Sequence, residues 1–380
     1  MEQPIILIAS ASFKGSLTNI ETTHIMAKAT SNVFPNSKIT EFPLADGGEG
    51  SIEVIYKLLG GTMKTSQISD PLMRKIPAKW LQKDDVTYIE LAQTAGLTLI
   101  KKEEQNPLKT TTYGVGELLK KSATAGNRNI FLGVGGSATT DAGVGALIAL
   151  GVKFYKKNGT LIYPGTGEDL SEITKIDTTS ILPEILKCKI TILSDVENPL
   201  YGKDGAAFIY APQKGADKRM VQLLDSGLRN CAEKMEQFSQ RNVSSIPGAG
   251  AAGGIVAGLA SFLDVTVVSG IDTIMQMGGF ENILKTSDLI LTGEGKIDKQ
   301  TFFGKSLSKV FKLTEKHNKL TFAFAGKVED AVYKKNLQKI LFTSITPSSM
   351  TIENAMLTAK TNLYNSVSQR LKLYKDSFPS

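Results

Sequence analysis

Carboxylates recur at one kind of place in this chain: a turn rich in glycine or asparagine that directly follows an apolar run. Asp46 stands in Asp46-Gly47-Gly48-Glu49-Gly50, after the run 39–42. Asp141 closes Gly133-Val134-Gly135-Gly136-Ser137-Ala138-Thr139-Thr140-Asp141, after the run 129–132. Asp195 opens Asp195-Val196-Glu197-Asn198-Pro199, and Glu294 and Asp298 lie in Gly293-Glu294-Gly295-Lys296-Ile297-Asp298. Carboxylates of this kind can hold Mg²⁺ and orient or deprotonate an attacking hydroxyl, while lysines and backbone amides neutralise phosphate oxygens. The chemistry they suit is phosphoryl transfer. Any one of these acids is more often a turn residue or a helix cap. The weight lies in the recurrence, because open α/β sheets collect their ligands at the carboxyl ends of strands.

The longest of these turns lies between a strand-like run and an Ala/Leu/Ile stretch, 144–150, that reads as a helix. Strand, glycine-rich turn and helix together aim free N–H groups at an anion. Ser137, Thr139 and Thr140 add hydroxyls there, and Asp141 adds a carboxylate able to hold a cation. Gly133-x-Gly135-x-x-Ala138 formally matches the dinucleotide fingerprint, but that motif needs an acid closing the next strand. The next strand-like stretch, 152–155, ends in Lys156-Lys157, so an NAD-dependent dehydrogenase is a distant alternative. Gly304-Lys305-Ser306 resembles the end of a Walker A loop, yet Lys299 stands where that loop needs glycine. A second small-residue loop, Gly248 to Gly254, suits direct ligand contact and close helix packing equally well.

The elements that position these turns read as α/β. Apolar runs at Ile5–Ala9, Ile39–Phe42, Asp288–Thr292, Leu320–Ala325 and Ile340–Ile345 have the continuous character of parallel strands buried on both faces. Helical stretches separate them, which predicts a Rossmann-like parallel-sheet domain built from both ends of the chain. The middle alternates polar and apolar residues through Thr62–Trp80 and reads as a hairpin, with another at 151–163 turned by Lys157-Asn158-Gly159. The expected division is a discontinuous domain of residues 1–87 and 286–380 and an inserted mixed α/β domain of residues 88–285. The active site is expected in the cleft between them.

Bulk properties narrow the function further. A chain of 380 residues exceeds the size of one typical core, and its 41% apolar and 21% charged content is that of a globular protein. The net charge of +7 comes from scattered lysines with no basic run interleaved with aromatics, which argues against nucleic acid and suits small anionic substrates. Two distant cysteines and two histidines leave no material for a disulfide framework, a zinc centre or a Ser-His-Asp triad. No run reaches membrane-spanning length and no leader precedes Ile5, so a cytoplasmic protein without membrane partners is expected.

Several longer motifs resemble the bacterial class I glycerate kinases. They are Ser12-Phe13-Lys14-Gly15-Ser16, Pro43-Leu44-Ala45-Asp46-Gly47-Gly48-Glu49-Gly50, Gly135-Gly136-Ser137-Ala138-Thr139 and Asn198-Pro199-Leu200. Further on come Pro212-Gln213-Lys214-Gly215-Ala216, the run Gly248–Gly254, Thr292-Gly293-Glu294-Gly295, Ile297-Asp298 and Gln300-Thr301. The resemblance implies a two-domain enzyme that transfers the ATP γ-phosphoryl group to D-glycerate with Mg²⁺, giving 2-phosphoglycerate or, in some members, 3-phosphoglycerate. It implies Asp195 as base, with Asp46 and Glu294 as alternatives, and these three acids as metal ligands. Lys14 and the amides around Gly135 to Thr139 hold anionic groups, and Lys214 and Lys305 contact phosphate or the glycerate carboxylate. Ser12, Gly136, Ser137, Asp141, Asn198, Gly250, Gly253, Asp298 and Gln300 complete the expected binding set. A homo-oligomer is compatible with it.

The chain departs from the family pattern at four places: Ser10-Ala11 for Pro-Asp, Thr140 for Asn, Glu197 for Asp and Lys296 for Arg. The missing carboxylate at Ala11 keeps a non-catalytic glycerate- or nucleotide-binding homologue open as a further alternative.

Overall fold

A computed structural model of the chain describes residues 4–302, 306–333 and 337–377. In chain order the first strands are β1 (Ile6–Ser10), β2 (Ile39–Glu41), β3 (Thr62–Ser69), β4 (Lys75–Lys83) and β5 (Val86–Glu90). Then come β6 (Asn129–Gly133), β7 (Lys153–Tyr155), β8 (Lys175–Asp177), β9 (Lys189–Leu193) and β10 (Asp264–Val268). The last are β11 (Leu289–Ile297), β12 (Leu320–Val328) and β13 (Ile340–Ser344). The chain divides into two units, one of Met1–Ala45, Glu53–Leu59 and Ile271–Ser380, the other of Asp46–Ile52 and Gly60–Gly270.

The first unit is built on a five-stranded, all-parallel sheet in the order β13-β12-β11-β1-β2. Its apolar runs are continuous because both faces are covered. Ile6, Ile8, Leu289, Leu291 and Phe324 pack on one side with Ile25 and Met26 of helix Asn19–Val33 and Leu363, Val367 and Leu371 of helix Ala359–Asp376. Leu7, Ala9, Ile290 and Ala323 pack on the other with Leu307, Val310 and Phe311 of helix Ser306–Lys316 and with Phe280 and Leu284. Thr18 starts the first helix as a capping box with Glu21, which satisfies two otherwise orphaned N–H groups. β11 runs on through Ile297, beyond the apolar residues that mark it in the sequence, because Glu294, Lys296 and Ile297 continue the ladder opposite Ala325, Lys327 and Val328.

The strand order has a consequence for function. β1 has β2 on one side and β11 on the other, so the chain leaves it in opposite directions. That is the switch point of a doubly wound sheet, outside whose strand ends ligands bind.

The second unit carries a mixed six-stranded sheet, β10-β9-β6-β5-β4-β3. β10, β9, β6 and β5 are parallel, and β5, β4 and β3 are antiparallel. The hairpin read at 62–80 is present, from Thr62 opposite Gln82 to Ser69 opposite Lys75. It extends this second sheet, so residues 62–83 group with the middle of the chain rather than with residues 1–45 as expected. The hairpin read at 151–163 is present in short form: Tyr155 bridges Leu161, Lys156 N–H donates to the Thr160 carbonyl and Ile162 N–H to the Phe154 carbonyl, and β7 also pairs with β8. β10 carries the β-branched run Val265-Thr266-Val267-Val268, a strand signal the expected strands above do not include, and it pairs with β9.

One face of this sheet, with Ile89, Ile130, Leu132, Ile190 and Ile192, is buried against Val115, Leu119, Leu147, Ile255 and Leu259. Cys188 and Cys231 are buried free thiols. Among the described residues, no helix is long and apolar enough to cross a membrane.

Candidate active site

In the six-stranded unit the parallel strands β5, β6, β9 and β10 end along one edge of the sheet. The turn 46–50 is seated on that edge, backbone against backbone. Gly135 N–H donates to the Gly47 carbonyl at 3.2 Å, and a methyl group on Gly133 would lie 2.3 Å from that same oxygen. A methyl on Gly135 would come 2.6 Å from Gly48 Cα, and one on Gly270, just past β10, 2.0 Å from the Asp46 carbonyl oxygen. Glycine is required at all three places because a side chain would push the turn off the sheet.

Side chains then fix the turn. Gly47 N–H donates to Ser51 Oγ at 3.1 Å and Gly48 N–H to Asp46 Oδ1 at 2.9 Å. Glu90, buried at the end of β5, accepts from the Ile52 N–H at 2.6 Å and from Gln93 Nε2 at 3.3 Å. The Asp46 side chain is left exposed. Asp195 follows β9, is exposed too, and accepts a hydrogen bond from Ser269 Oγ at 2.7 Å. Ser269 is the neighbour of the Gly270 that packs on Asp46. Asp46, Asp195 and the turn Gly135-Gly136-Ser137 are therefore brought to one edge of one sheet.

The rest of the glycine-rich loop turns inward. Asp141 has no exposed surface. Its Oδ2 accepts from the Thr112 N–H and hydroxyl, both at 2.7 Å, and from Gly145 N–H at 3.3 Å, while Oδ1 accepts from Gly143 N–H at 3.2 Å. Those amides belong to the start of helix Val144–Ala149, so the helix end expected to face an anion is closed by the protein's own carboxylate. Burial pushes the Asp141 carboxyl above its ordinary range, against the hydrogen bonds that favour its charged form. The cation-holding role expected of Asp141 gives way to a role inside the loop.

Lys214 is also buried, at 1% exposure. Its Nζ donates to Ser137 Oγ at 2.8 Å and to the Thr139 carbonyl at 2.6 Å. Burial lowers its ammonium to about 7, and the Asp141 charge opposes that fall. The Thr139 and Thr140 hydroxyls are buried with no hydrogen-bond partner among the described residues. Each such orphan costs about 1–3 kcal/mol.

Gly253 packs against this loop, while Asn198 and Gly250 are joined to each other. Asn198 Nδ2 donates to the Asp204 carbonyl, and the Tyr210 hydroxyl donates to Asn198 Oδ1. Gly250 N–H donates to the Asn198 carbonyl at 3.0 Å. A methyl on Gly253 would lie 2.1 Å from the Thr139 carbonyl oxygen, and the Gly253 carbonyl accepts from Ala142 N–H. Of the two readings of the run 248–254, close packing is the one these contacts describe.

In the five-stranded unit, exposed Ser12 and Lys14 follow β1 at the switch point. Ala11 N–H donates to the Gly293 carbonyl, and a methyl on Gly295 would lie 3.3 Å from Lys14 N, so this loop rests on β11. Glu294 accepts from the Thr301 hydroxyl at 2.6 Å. Asp298 accepts from the Thr301 N–H at 3.2 Å and pairs with Lys296 at 3.1 Å. Lys296 also pairs with Glu329 at 2.7 Å, a contact that holds its ammonium charged above the usual lysine range. The Gln300 side chain and all of Lys305 lie outside the described residues.

The sequence profile of the glycerate kinase family matches residues 6–375. The chain belongs to that family. It is 39% identical to a glycerate kinase of Halalkalibacterium halodurans, over 92% of this chain and 93% of that protein. It is 37% identical to the glycerate 2-kinase of Escherichia coli K12, over 86% of each. The crystal structure of a putative glycerate kinase 2 from Salmonella typhimurium LT2 superposes with a TM-score of 0.83 at 31% identity, covering 99% of both chains. Membership makes this glycerate kinase family protein an enzyme.

Four residues that position the candidate site escape a reading of motifs. Ser51 and Glu90 hold the turn 46–50 by accepting from Gly47 N–H and Ile52 N–H, Ser269 donates to Asp195, and Thr112 donates to Asp141 through both its N–H and its hydroxyl. Glu90 alone carries a sequence signal, an acid ending an otherwise apolar strand.

Proposed function

We propose that this protein transfers the γ-phosphoryl group of ATP to a hydroxyl of D-glycerate, giving 2-phosphoglycerate and ADP. The observation that carries the reading is the meeting of exposed Asp46 and Asp195 with the Gly135–Ser137 turn at the strand ends of one sheet. The name of the Escherichia coli relative, glycerate 2-kinase, supports the acceptor and the position.

In this reading the glycerate hydroxyl gives its proton to the Asp195 carboxylate as its oxygen bonds to the γ-phosphorus. The bond from that phosphorus to the β,γ-bridging oxygen breaks, and ADP leaves. Ser269 fixes the rotamer of Asp195 by donating to Oδ1. The Gly135–Ser137 turn offers the Gly136 and Ser137 amides to phosphate oxygens, and Lys14, with Ser12, takes an anionic group of substrate or nucleotide. Asp298, Gln300 and Lys305 are assigned to the same nucleotide and substrate groups.

The donor set fits Mg²⁺ of the kind kinases use. Among the described residues no group of three histidine, cysteine or acidic side chains could cage a metal ion. Mg²⁺ on a nucleotide needs just one or two carboxylates, the remaining ligands being phosphate oxygens and water. Asp46 or Asp195 would hold it, and the ion would neutralise charge on the phosphates.

Purified protein with ATP, Mg²⁺ and D-glycerate should release ADP well above a control lacking glycerate. Failure to do so, with ligand binding still seen by calorimetry, would establish the non-catalytic homologue instead.

A further inference from the structure

We infer that Lys214 is the positioning residue of the phosphate-facing turn: its side chain, itself closed off from ligand, holds Ser137 and Thr139 so that the Gly136 and Ser137 amides stay presented. The inference rests on the proposed function for what the turn binds. A lysine in a kinase is ordinarily read as a phosphate contact, but Lys214 is 1% exposed and its Nζ is occupied by Ser137 Oγ at 2.8 Å and the Thr139 carbonyl at 2.6 Å.

The mount of this side chain is rigid. Lys214 ends the single turn Pro212–Lys214, where proline fixes the first residue and Gly215 closes the turn at φ +96°. A methyl on Gly215 would lie 2.2 Å from the Gln105 carbonyl oxygen, so the backbone behind Lys214 is pressed against a neighbouring segment. The motif Pro212-Gln213-Lys214-Gly215 thus delivers one ammonium group from behind the loop.

The loop needs such a latch. Gly136, Ala142 and Gly143 all have positive φ, and Ala142, at 51°, bears a side chain there. The buried Thr139 and Thr140 hydroxyls find no partner among the described residues. A loop with strained backbone and orphaned hydroxyls has a reason to rearrange, and the two hydrogen bonds from Lys214 grip it on either side of Ala138.

The test compares wild type with Lys214→Met, Ser137→Ala and the double variant. In the free protein, hydrogen exchange of the amides in 133–143 should quicken about tenfold or more in Lys214→Met, with β11 and β12 unchanged. In glycerate-dependent ADP release, Lys214→Met should raise KM for ATP about thirtyfold while kcat stays within about threefold. In the Ser137→Ala background the same change should cost clearly less than about thirtyfold, since the hydrogen bond the two residues share is already gone and only the one to the Thr139 carbonyl remains to be lost. Additive losses, or unchanged exchange at 133–143, would overturn the inference. If Lys214→Met does not unfold cooperatively, Lys214→Gln takes its place, with the same results supporting or overturning the inference. A wild type without turnover would instead remove the proposed function, while the exchange experiment still decides whether Lys214 holds the loop.

Discussion

Asp195 and Asp141 carry the same group and both stand in loops after parallel strands, yet their surroundings assign them opposite work. Asp195 is exposed, reaching solvent while Ser269 steadies it. Replacing it with Asn should lower kcat by about two to four orders of magnitude if it takes the hydroxyl proton. A near-normal rate would pass that role to Asp46. Asp141 is enclosed by four donors and serves the loop. Lys214 gives a pH signature with a definite sign. Its folded-state value, lowered to about 7 from 10.5, means the unfolded chain binds more protons between those limits. Stability from this group therefore rises with pH across that window and is lost as pH falls towards 7. Urea unfolding from about pH 6.5 to about pH 10 should show wild type gaining on Lys214→Met as pH rises. A parallel pair of curves would place the lysine value near its ordinary one.

At the scale of elements, the site depends on backbones that touch. The turn 46–50, the loop 133–143 and the run 248–254 approach one another through glycines whose missing side chains make room. Gly253 is the sharpest case, at φ +74° with the Thr139 carbonyl 2.1 Å from where a methyl would sit. Gly253→Ala should destabilise the protein by about 2 kcal/mol or more, from backbone strain and overpacking together. The denaturant midpoint checks it, with an unchanged value showing that the loop yields. These glycine runs are visible in the sequence, but which backbone each one meets is not. The dinucleotide-like spacing after β6 illustrates the limit. Its glycines admit the turn 46–50, and the helix behind it is capped by Asp141.

At the scale of the whole molecule, two sheets of different construction each carry candidate residues of their own. The five-stranded unit offers Lys14 and Glu294 at its switch point, and the six-stranded unit offers Asp46 and Asp195. The position phosphorylated is a property of the complete enzyme and calls for a whole-enzyme assay. Product fed to enolase should be consumed without added phosphoglycerate mutase if it is 2-phosphoglycerate. A requirement for the mutase would make it 3-phosphoglycerate. Chelating Mg²⁺ should abolish turnover, and adding it back should restore the rate, since phosphate charge is otherwise unscreened.

The sequence by itself determined the class of fold, the parallel strands at both ends of the chain and the family. Each is written in local signals: continuous apolar runs, the hairpin alternation of 62–80, and ordered motifs from Ser12 to Thr301. The tertiary structure decided which polar residues face solvent and which are enclosed. Nothing local distinguishes Asp141 from Asp195, or Lys214 from Lys14, because burial is imposed by segments distant in the chain: Thr112 for Asp141, the Ser137 hydroxyl and Thr139 carbonyl for Lys214. It also decided that 62–83 joins the second sheet and that β10 lies beside β9, since both follow from ladder partners rather than from composition. A carboxylate's type is a local fact, but its freedom to do chemistry is settled by what packs over it.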